Sequence, residues 1–280
     1  MWKDSYRIGV ASIDEQHKAL FDATEKLLSN LRENHNSRRE ECIAAIAFLK
    51  DYAVRHFADE EDYQLSVGYR DYKAHKKLHQ GFVKTVLFHK KKMTESDFDL
   101  KDIKEFTGML ITWLTYHVAG IDQEITGEKA AAADKGASAR LDCFLYAVRD
   151  VLHKLAGLDT DAVNTVAGNG GDMGDRVCVD VEFTGDASGR VGFVYSGEFT
   201  RNVIFAMIGF YPDESDELVQ SALLEISNII SGTVCLQFIR AGILCDIMPP
   251  VLSDSRDTDA KDKILLDTGV GLIEINVNLT

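Results

Sequence analysis

Apolar residues recur at helical spacing through roughly the first 125 residues, with almost none of the alternation that is typical of strands. Four segments carry this pattern: 14–31, 40–62, 72–92 and 100–122. Apolar positions three and four residues apart line one face of a helix, so each segment predicts an amphipathic helix. Because only short polar joints separate the segments, the pattern favours an all-α, antiparallel four-helix bundle over residues 1–125.

The pattern changes after this region. Residues 126–139 are small and polar with no large apolar anchor, as in a linker. Helices are then predicted at 141–158, 198–208 and 213–239, and strands at 177–183, 191–195, 243–247, 263–267 and 272–279. The predicted fold class is therefore multi-domain, with a C-terminal α/β (α+β) domain over 140–280. We expect that domain to have a mostly antiparallel sheet and two long helices.

Charge and cysteine content narrow the function classes. The 45 acidic residues outnumber the 31 basic ones, which argues against nucleic acid and anionic membrane as partners, because phosphate binding needs clustered lysine and arginine. The five cysteines include no CxxC pair and predict reduced thiols. We see no signal peptide and no apolar run of the roughly 20 residues that a membrane span needs. We therefore expect a cytoplasmic, soluble protein.

Histidines and carboxylates recur on the four predicted helices. Five of the histidines there form one set, His17, His56, His75, His79 and His117, whereas His89 falls outside the pattern and is expected to be a surface residue. The pairs His56/Glu60 and His75/His79 are four residues apart, so each pair shares one helix face. A lone histidine on an apolar face is more often an ordinary core or surface residue. Burying this many ionisable groups without a metal would cost on the order of several kcal/mol each, so the set favours a metal centre.

Four motifs carry a resemblance to a known family. They are Asp14-Glu15-Gln16-His17, His56-Phe57-x-x-Glu60-Glu61, His75-x3-His79 and Trp113-Leu114-x-x-His117-x4-Asp122. In order and spacing they resemble bacteriohemerythrin over about residues 1–125. The resemblance implies two non-haem iron ions, oxo- or hydroxo-bridged, with O2 as ligand. It further implies one iron on His75, His79 and His117, the other on His17 and His56, and bridges from Glu60 and Asp122.

Four residues in or beside these motifs bear on the geometry and polarity of the metal site. His117 and Asp122 are five residues apart, about 140° around an ideal helix, so both can reach the metals only if the helix ends or becomes irregular there. Gln64 stands where the family usually has an apolar methionine, and we expect it to alter pocket polarity or oxidation rate. Glu61 is expected to be a solvated helix charge.

The predicted helix 213–239 carries a narrow polar stripe on an apolar background. Its members are Ser221, Glu225, Asn228 and Gly232. Periodicity alone favours the solvent face of an amphipathic helix, whereas small residues beside a Glu–Asn pair indicate a surface for a partner. Together with Asp216-Glu217-Leu218-Val219 and Met248-Pro249-Pro250, this segment resembles the CheX branch of the CheC/CheX phosphatases, over about residues 138–280.

That resemblance implies hydrolysis of the aspartyl phosphate on a phosphorylated CheY-type response regulator. Asn228 would orient the attacking water, and Glu225 would engage a lysine of the regulator. The regulator would supply Mg2+ and the phosphoryl group, so that positioning does most of the catalysis. A homodimer through the CheX-like domain is also implied.

Together the two resemblances predict an oxygen- or redox-sensing di-iron protein whose C-terminal domain is a response-regulator phosphatase. Two alternatives remain open. One is an O2 store or carrier with a non-catalytic docking domain. The other is a di-iron peroxidase or NO-handling enzyme, although a histidine-rich, carboxylate-poor ligand set favours O2 binding over oxygenation.

Overall fold

The computed structural model describes residues 1–33, 38–126, 140–159, 163–166, 173, 175–213, 216–254 and 260–280. The chain divides into two compact units, Met1–Ala130 and Ala131–Thr280. Nearly all of the predicted linker, 127–139, lies outside the described residues. The linker and the domain boundaries therefore stay predictions.

The first unit contains the four long helices predicted from periodicity. They are α1 (Ala11–Glu33), α2 (Arg38–Ser66), α3 (Tyr72–Glu95) and α4 (Leu100–Tyr116), followed by a π-helical turn (His117–Ile121) and the short α5 (Gln123–Thr126). Contacts join α1 to α2, α2 to α3, α3 to α4 and α1 to α4. Each helix thus packs on two neighbours, and the four-helix bundle is confirmed.

Large side chains fill the centre of this bundle. Phe21 and Phe106 are fully buried, and Leu49, Phe82 and Leu114 are almost so. Each contributes roughly 1.5–3 kcal/mol relative to an exposed position. Such a core supplies rigid walls for any polar residues that the same helices carry.

The second unit is a layer of helices on a sheet. Its elements are α6 (Arg140–Ala156), β1 (Asn164–Thr165), β2 (Arg176–Gly185), β3 (Gly189–Ser196), α7 (Gly197–Ile208), α8 (Glu217–Arg240), β4 (Cys245–Ile247), β5 (Val251–Ser253), β6 (Asp262–Asp267) and β7 (Leu272–Leu279). The strand order is β1-β6-β7-β3-β2-β4, and β5 also pairs with β2. All pairings among the described strands are antiparallel, which confirms the predicted fold class.

The β2–β3 hairpin depends on glycine. Gly185 and Gly189 have φ angles of 100° and 138°, which side-chain-bearing residues rarely adopt. A Cβ at Gly189 would also collide with the backbone carbonyl of Asn278 on the neighbouring β7. Both glycines are therefore required to bring β3 between β2 and β7.

The helix α8 is more apolar than we expected of any segment of the chain. Among the described residues it is the one helix long and apolar enough, by length and composition, to cross a membrane, whereas we expected no such run. In this fold α8 packs against α6 and the strands β2, β4 and β5. Ile226, Ile230 and Val234 are fully buried there, so its apolar character is explained by its place in the core of the second unit.

Candidate functional site

Seven ionisable side chains converge inside the helical bundle, and all are at most 2% exposed. They are His17, His56, Glu60, His75, His79, His117 and Asp122. Two groups form within this set: one ligand atom each from Glu60, His75, His79 and His117, and one each from His17, His56 and Glu60, lie within 4.8 Å of one another. The two groups share one carboxylate, so the structure offers two adjacent ligand clusters.

The two oxygens of Glu60 face different clusters. Oε1 lies 2.8 Å from His75 Nε2 and 3.4 Å from His79 Nε2. Oε2 lies 3.6 Å from His17 Nε2 and 3.5 Å from His56 Nε2. The carboxylate therefore spans the gap between a cluster on α3 and a cluster on α1 and α2.

Asp122, which directly follows the π-helical turn, spans the same gap between the two clusters. Its Oδ1 lies 3.3 Å from His75 Nε2 and 3.2 Å from His117 Nε2, and its Oδ2 lies 3.1 Å from His17 Nε2. Each carboxylate thus presents one oxygen to each cluster. This is the arrangement that two bridged metal ions require.

A π-helical turn brings His117 and Asp122 to the same side. The backbone N–H of Asp122 donates to the carbonyl of His117 at 2.9 Å, which is the i→i+5 bond of a π-helix. The wider turn places residues five apart one above the other, whereas a regular α-helix would separate them by about 140°. The irregularity expected from the spacing is confirmed.

Several atoms of the cluster form no hydrogen bond despite complete burial. They are Nδ1 and Nε2 of His17 and of His75, Nε2 of His56, Oε2 of Glu60, and both carboxylate oxygens of Asp122. A buried polar atom without a hydrogen bond costs about 1–3 kcal/mol, and the contacts of 2.8–3.6 Å between imidazole nitrogens and carboxylate oxygens offset only part of that cost. Metal ions would satisfy the unpaired nitrogens and oxygens that face inward, and imidazole with carboxylate is a donor set that suits iron. The residues present therefore fit a di-iron centre.

The charges within the cluster favour ionised carboxylates at Glu60 and Asp122. Burial raises the pKa of the Glu60 carboxyl, but contacts with His17, His75 and His79 outweigh it and hold that pKa well below its usual range. Burial also opposes charging of His17 and His75, yet Asp122 and Glu60 raise the pKa of each to about 9. Metal ions must displace those two protons, so metal affinity rises with pH.

Glu61 orients one imidazole ring of the cluster. The expectation that it is a solvated helix charge was wrong. Its side chain is only 16% exposed. Oε1 lies 3.2 Å from His79 Nδ1, and Oε2 accepts a hydrogen bond of 2.6 Å from Lys76 Nζ. A carboxylate on the outer nitrogen fixes the tautomer and turns Nε2 toward the metal.

Gln16 does the same for a second ring. Its Oε1 lies 3.0 Å from His56 Nδ1, while its Nε2 donates to Asp59 Oδ2 at 2.6 Å. Asp14, from the same motif, accepts from the backbone N–H groups of Ile8 and Gly9. The motif that contains His17 therefore also orients His56 and fixes the backbone of the segment before α1. The sequence of the motif alone did not predict these two roles.

Two aromatic rings stack on histidines of the cluster and cover it on these sides. Phe57 stacks on His79 with ring centroids 3.9 Å apart and planes 11° apart. Trp113 stacks on His117 at 4.2 Å and 16°. Both aromatics occur in the motifs noted above, and they limit rotation of the rings while covering them with apolar surface.

Gln64 reaches the shared carboxylate. It is fully buried, and its Nε2 donates to Glu60 Oε1 at 2.7 Å. Its own Oε1 has no hydrogen-bond partner. Gln64, the polar residue at the position where the family usually has methionine, thus contacts Glu60 directly.

The stripe on α8 is partly covered. Ser221 is 6% exposed, and Glu225, Asn228 and Gly232 are half-buried. Asn228 Nδ2 donates to Glu225 Oε2 at 3.3 Å. Burial raises the pKa of Glu225 to about 8, although the bond from Asn228 opposes the shift. The pair is therefore neither a fully solvated face nor part of the apolar core.

Comparison with known families separates the two units. Residues 8–127 match the Hemerythrin HHE cation binding domain. Residues 177–266 match Chemotaxis phosphatase CheX. The first match includes all seven residues of the bundle cluster, and the second includes Glu225 and Asn228.

Curated relatives cover the first unit. Bacteriohemerythrin from Clostridium acetobutylicum is 35% identical over 127 residues, which is 44% of this chain and 96% of that protein. Bacteriohemerythrin from Pseudomonas aeruginosa is 31% identical over 123 residues, 44% of this chain and 76% of that protein. A hemerythrin-like protein from Naegleria gruberi is 32% identical over 126 residues, 45% of this chain and 90% of that protein.

Solved structures align with the second half. Chemotaxis protein CheX from Vibrio vulnificus is 17% identical, with 51% of this chain and 100% of that one covered and a TM-score of 0.44. A chain of the CheX–CheY–BeF3–Mg+2 complex from Borrelia burgdorferi is 20% identical, with 51% of this chain and 99% of that one covered and a TM-score of 0.41.

The hemerythrin match implies binding of oxygen and of a non-haem di-iron centre, which agrees with the donor set of the cluster. The relative from Clostridium exceeds 30% identity over almost its whole length. The chain belongs to the hemerythrin family through its first unit, and it joins that hemerythrin domain to a CheX domain.

Proposed function

We propose that this chain is an oxygen- and redox-sensing di-iron protein whose CheX domain dephosphorylates the aspartyl phosphate of a CheY-type response regulator. One observation carries the first half of the proposal: Glu60 and Asp122 each present one oxygen to either histidine cluster. We further propose that the protein acts in the cytoplasm as a homodimer through the CheX domain.

In this proposal His75, His79 and His117 hold one iron, and His17 and His56 hold the other. Glu60 and Asp122 would bridge the two ions. His17 and His56 offer one nitrogen fewer than the other cluster, so an iron ion held there would have fewer protein ligands. The hemerythrin match supports reversible O2 binding as the chemistry that such a centre would supply.

The remaining residues of the site prepare the ligands. The Glu61 carboxylate and the Gln16 amide hold the outer nitrogens of His79 and His56, so the inner nitrogens point at the metals before these bind. Phe57 covers His79 with an apolar face. A dry pocket with fixed ligands favours reversible binding, because water and mobile groups promote side reactions.

Iron content and visible absorption test the oxygen half. We expect two iron ions per chain and an absorption change on exposure to air that reverses under nitrogen. His117→Ala should lose iron and the reversible change. Rapid consumption of hydrogen peroxide with no reversible spectrum would instead make the centre a peroxidase.

The phosphatase half of the proposal rests on the family match and on the Glu225–Asn228 pair. The Asn228 amide is fixed against Glu225 on a rigid helix, where it can orient a water for in-line attack on phosphorus. Burial raises the pKa of Glu225, so the approach of a regulator lysine would ionise it and form a charged pair. The regulator would bring Mg2+ and the phosphoryl group.

Phosphate release from a phosphorylated CheY-type regulator tests this half. Asn228→Ala should slow release by about 100-fold, because a misplaced water forfeits most of the orientation effect. Ser253→Ala, a half-buried polar change on β5, serves as the matched control. Equal rates for the wild type, Asn228→Ala and regulator alone would reduce the CheX domain to a docking module.

We also propose that the two activities are coupled. The π-helical turn that carries His117 leads directly through α5 into the predicted linker. For iron chemistry to regulate the phosphatase, the oxygen-bound and oxygen-free forms must favour different states of the second domain. The linker and the end of the His117 helix would transmit that difference.

A further inference from the structure

Two cysteines of the CheX domain are in contact. Cys235 lies near the end of α8 and Cys245 is the first residue of β4, and their Sγ atoms are 2.6 Å apart. This is closer than two non-bonded sulfurs normally approach. By contrast, the Cys42 thiol contacts a methionine sulfur at 3.6 Å. The pair therefore differs from an ordinary buried thiol.

The elements on either side hold the two sulfurs together. Cys245 pairs with Gly185 of β2, and the next two residues of β4 continue that ladder. The helix α8 packs along β4 and β2. Asp186 accepts a hydrogen bond from the backbone N–H of Leu244, which fixes the turn between the two cysteines. The contact thus results from rigid elements rather than from a loose loop.

We propose that Cys235 and Cys245 form a reversible disulfide when the protein meets a peroxide, so that the CheX domain carries an oxidation site of its own. With hydrogen peroxide, one thiol is oxidised to a sulfenic acid and one water leaves. The second thiol attacks that sulfur, the S–S bond forms, and a second water leaves. The two thiols together lose two electrons and two protons to the peroxide.

Exposure decides the order of these steps. Cys245 is half-buried and Cys235 only 6% exposed, so peroxide reaches Cys245 first and Cys235 resolves the intermediate. Burial raises the pKa of both thiols. Because the thiolate is the reactive form, oxidation is slow at neutral pH and accelerates as pH rises.

The disulfide would fasten the end of α8 to the sheet. Cys235 follows Asn228 on the same helix by two turns, so the bond forms close to the proposed phosphatase motif. The bond itself depends only on the two sulfurs and not on that function.

Tryptic peptide mapping of the full chain tests the proposal directly. Trypsin cleaves after Arg240, so Cys235 falls in peptide 202–240 and Cys245 in peptide 241–256. After hydrogen peroxide treatment and alkylation under denaturing conditions, we expect these two peptides to be joined. Dithiothreitol should release them, and raising the pH from 7 to 8 should speed their joining by close to tenfold.

Matched variants separate this pair from other thiols. Cys245→Ser should abolish the joined peptides, whereas Cys178→Ser, a change at another buried cysteine of the same domain, should leave them unchanged. Full alkylation of both cysteines after peroxide treatment would overturn the proposal. So would over-oxidation of Cys245 without joining, or a bond to Cys178 or Cys143.

Discussion

Replacing Glu61 with alanine tests whether the outer hydrogen bonds of the cluster support metal binding. Glu61 Oε1 lies 3.2 Å from His79 Nδ1, and Lys76 holds the other oxygen. Removing the carboxylate frees the ring to rotate and lowers the basicity of its inner nitrogen. Loss of such a partner typically weakens metal affinity about 10- to 100-fold, which is about 1.4–2.7 kcal/mol.

The assay is an anaerobic titration of metal-free protein with Fe(II) against a coloured chelator. Asp62→Ala is the matched control, because Asp62 is the adjacent acid on α2 and is exposed. Glu61→Gln keeps a hydrogen-bond acceptor and should recover part of the affinity. Thermal unfolding of the metal-free variants checks that each one folds.

Iron binding by Glu61→Ala as tight as that by Asp62→Ala would refute a supporting role for Glu61. That result would mean that stacking by Phe57 alone holds the His79 ring. A loss equal to that of His79→Ala would also contradict it, since a supporting residue should cost less than the ligand itself.

Four further outcomes follow from the structure. Removing iron should lower the free energy of unfolding of the first unit by about 2.7 kcal/mol for each of the two sites, or about 5.4 kcal/mol in all, relative to protein in free Fe(II) at about 100 times the Kd of each site, as calorimetry would show. Gln64→Met removes the bond to Glu60 but also an unpaired oxygen, so urea unfolding of the metal-free protein should change by less than about 1.5 kcal/mol, while the autoxidation rate of the iron form changes. Burial raises the pKa of Glu225 from 4.5 to about 8, so the contribution of this group to stability is complete below pH 4.5 and is lost as pH rises through 8. In pH-dependent unfolding, Glu225→Gln should therefore reduce the loss of stability between pH 4.5 and 8. Glu182→Gln, a change at an exposed position, should leave that loss unchanged. Gly189→Ala should destabilise the second unit by about 2–4 kcal/mol through its backbone collision and leave the iron spectrum intact.

Long periodic segments explain how much of the fold could be predicted. The four bundle helices and α8 span many turns, so the helical period was evident. The strands β1 and β5 have only two and three residues, which is too short for a period to register. They exist because their neighbours β6 and β2 offer edges to pair with.

In the site as well, features set by local spacing could be predicted, whereas contacts between distant segments could not. The spacing of His117 and Asp122 already required an irregular turn, because no regular helix could present both. The role of Glu61 was not predictable, since its partner His79 is 18 residues away on another helix. The contact between Cys235 and Cys245 likewise depends on how α8 packs on β4, which a count of cysteines does not contain.

The most direct test of an oxygen-regulated phosphatase is phosphate release from a phosphorylated CheY-type regulator by the iron-loaded full chain, measured under nitrogen and then under O2. We predict that the rate depends on Asn228, differs between the two gases, and loses that difference in His117→Ala. The same Asn228-dependent rate under both gases would contradict an oxygen-regulated phosphatase and leave two independent activities on one chain.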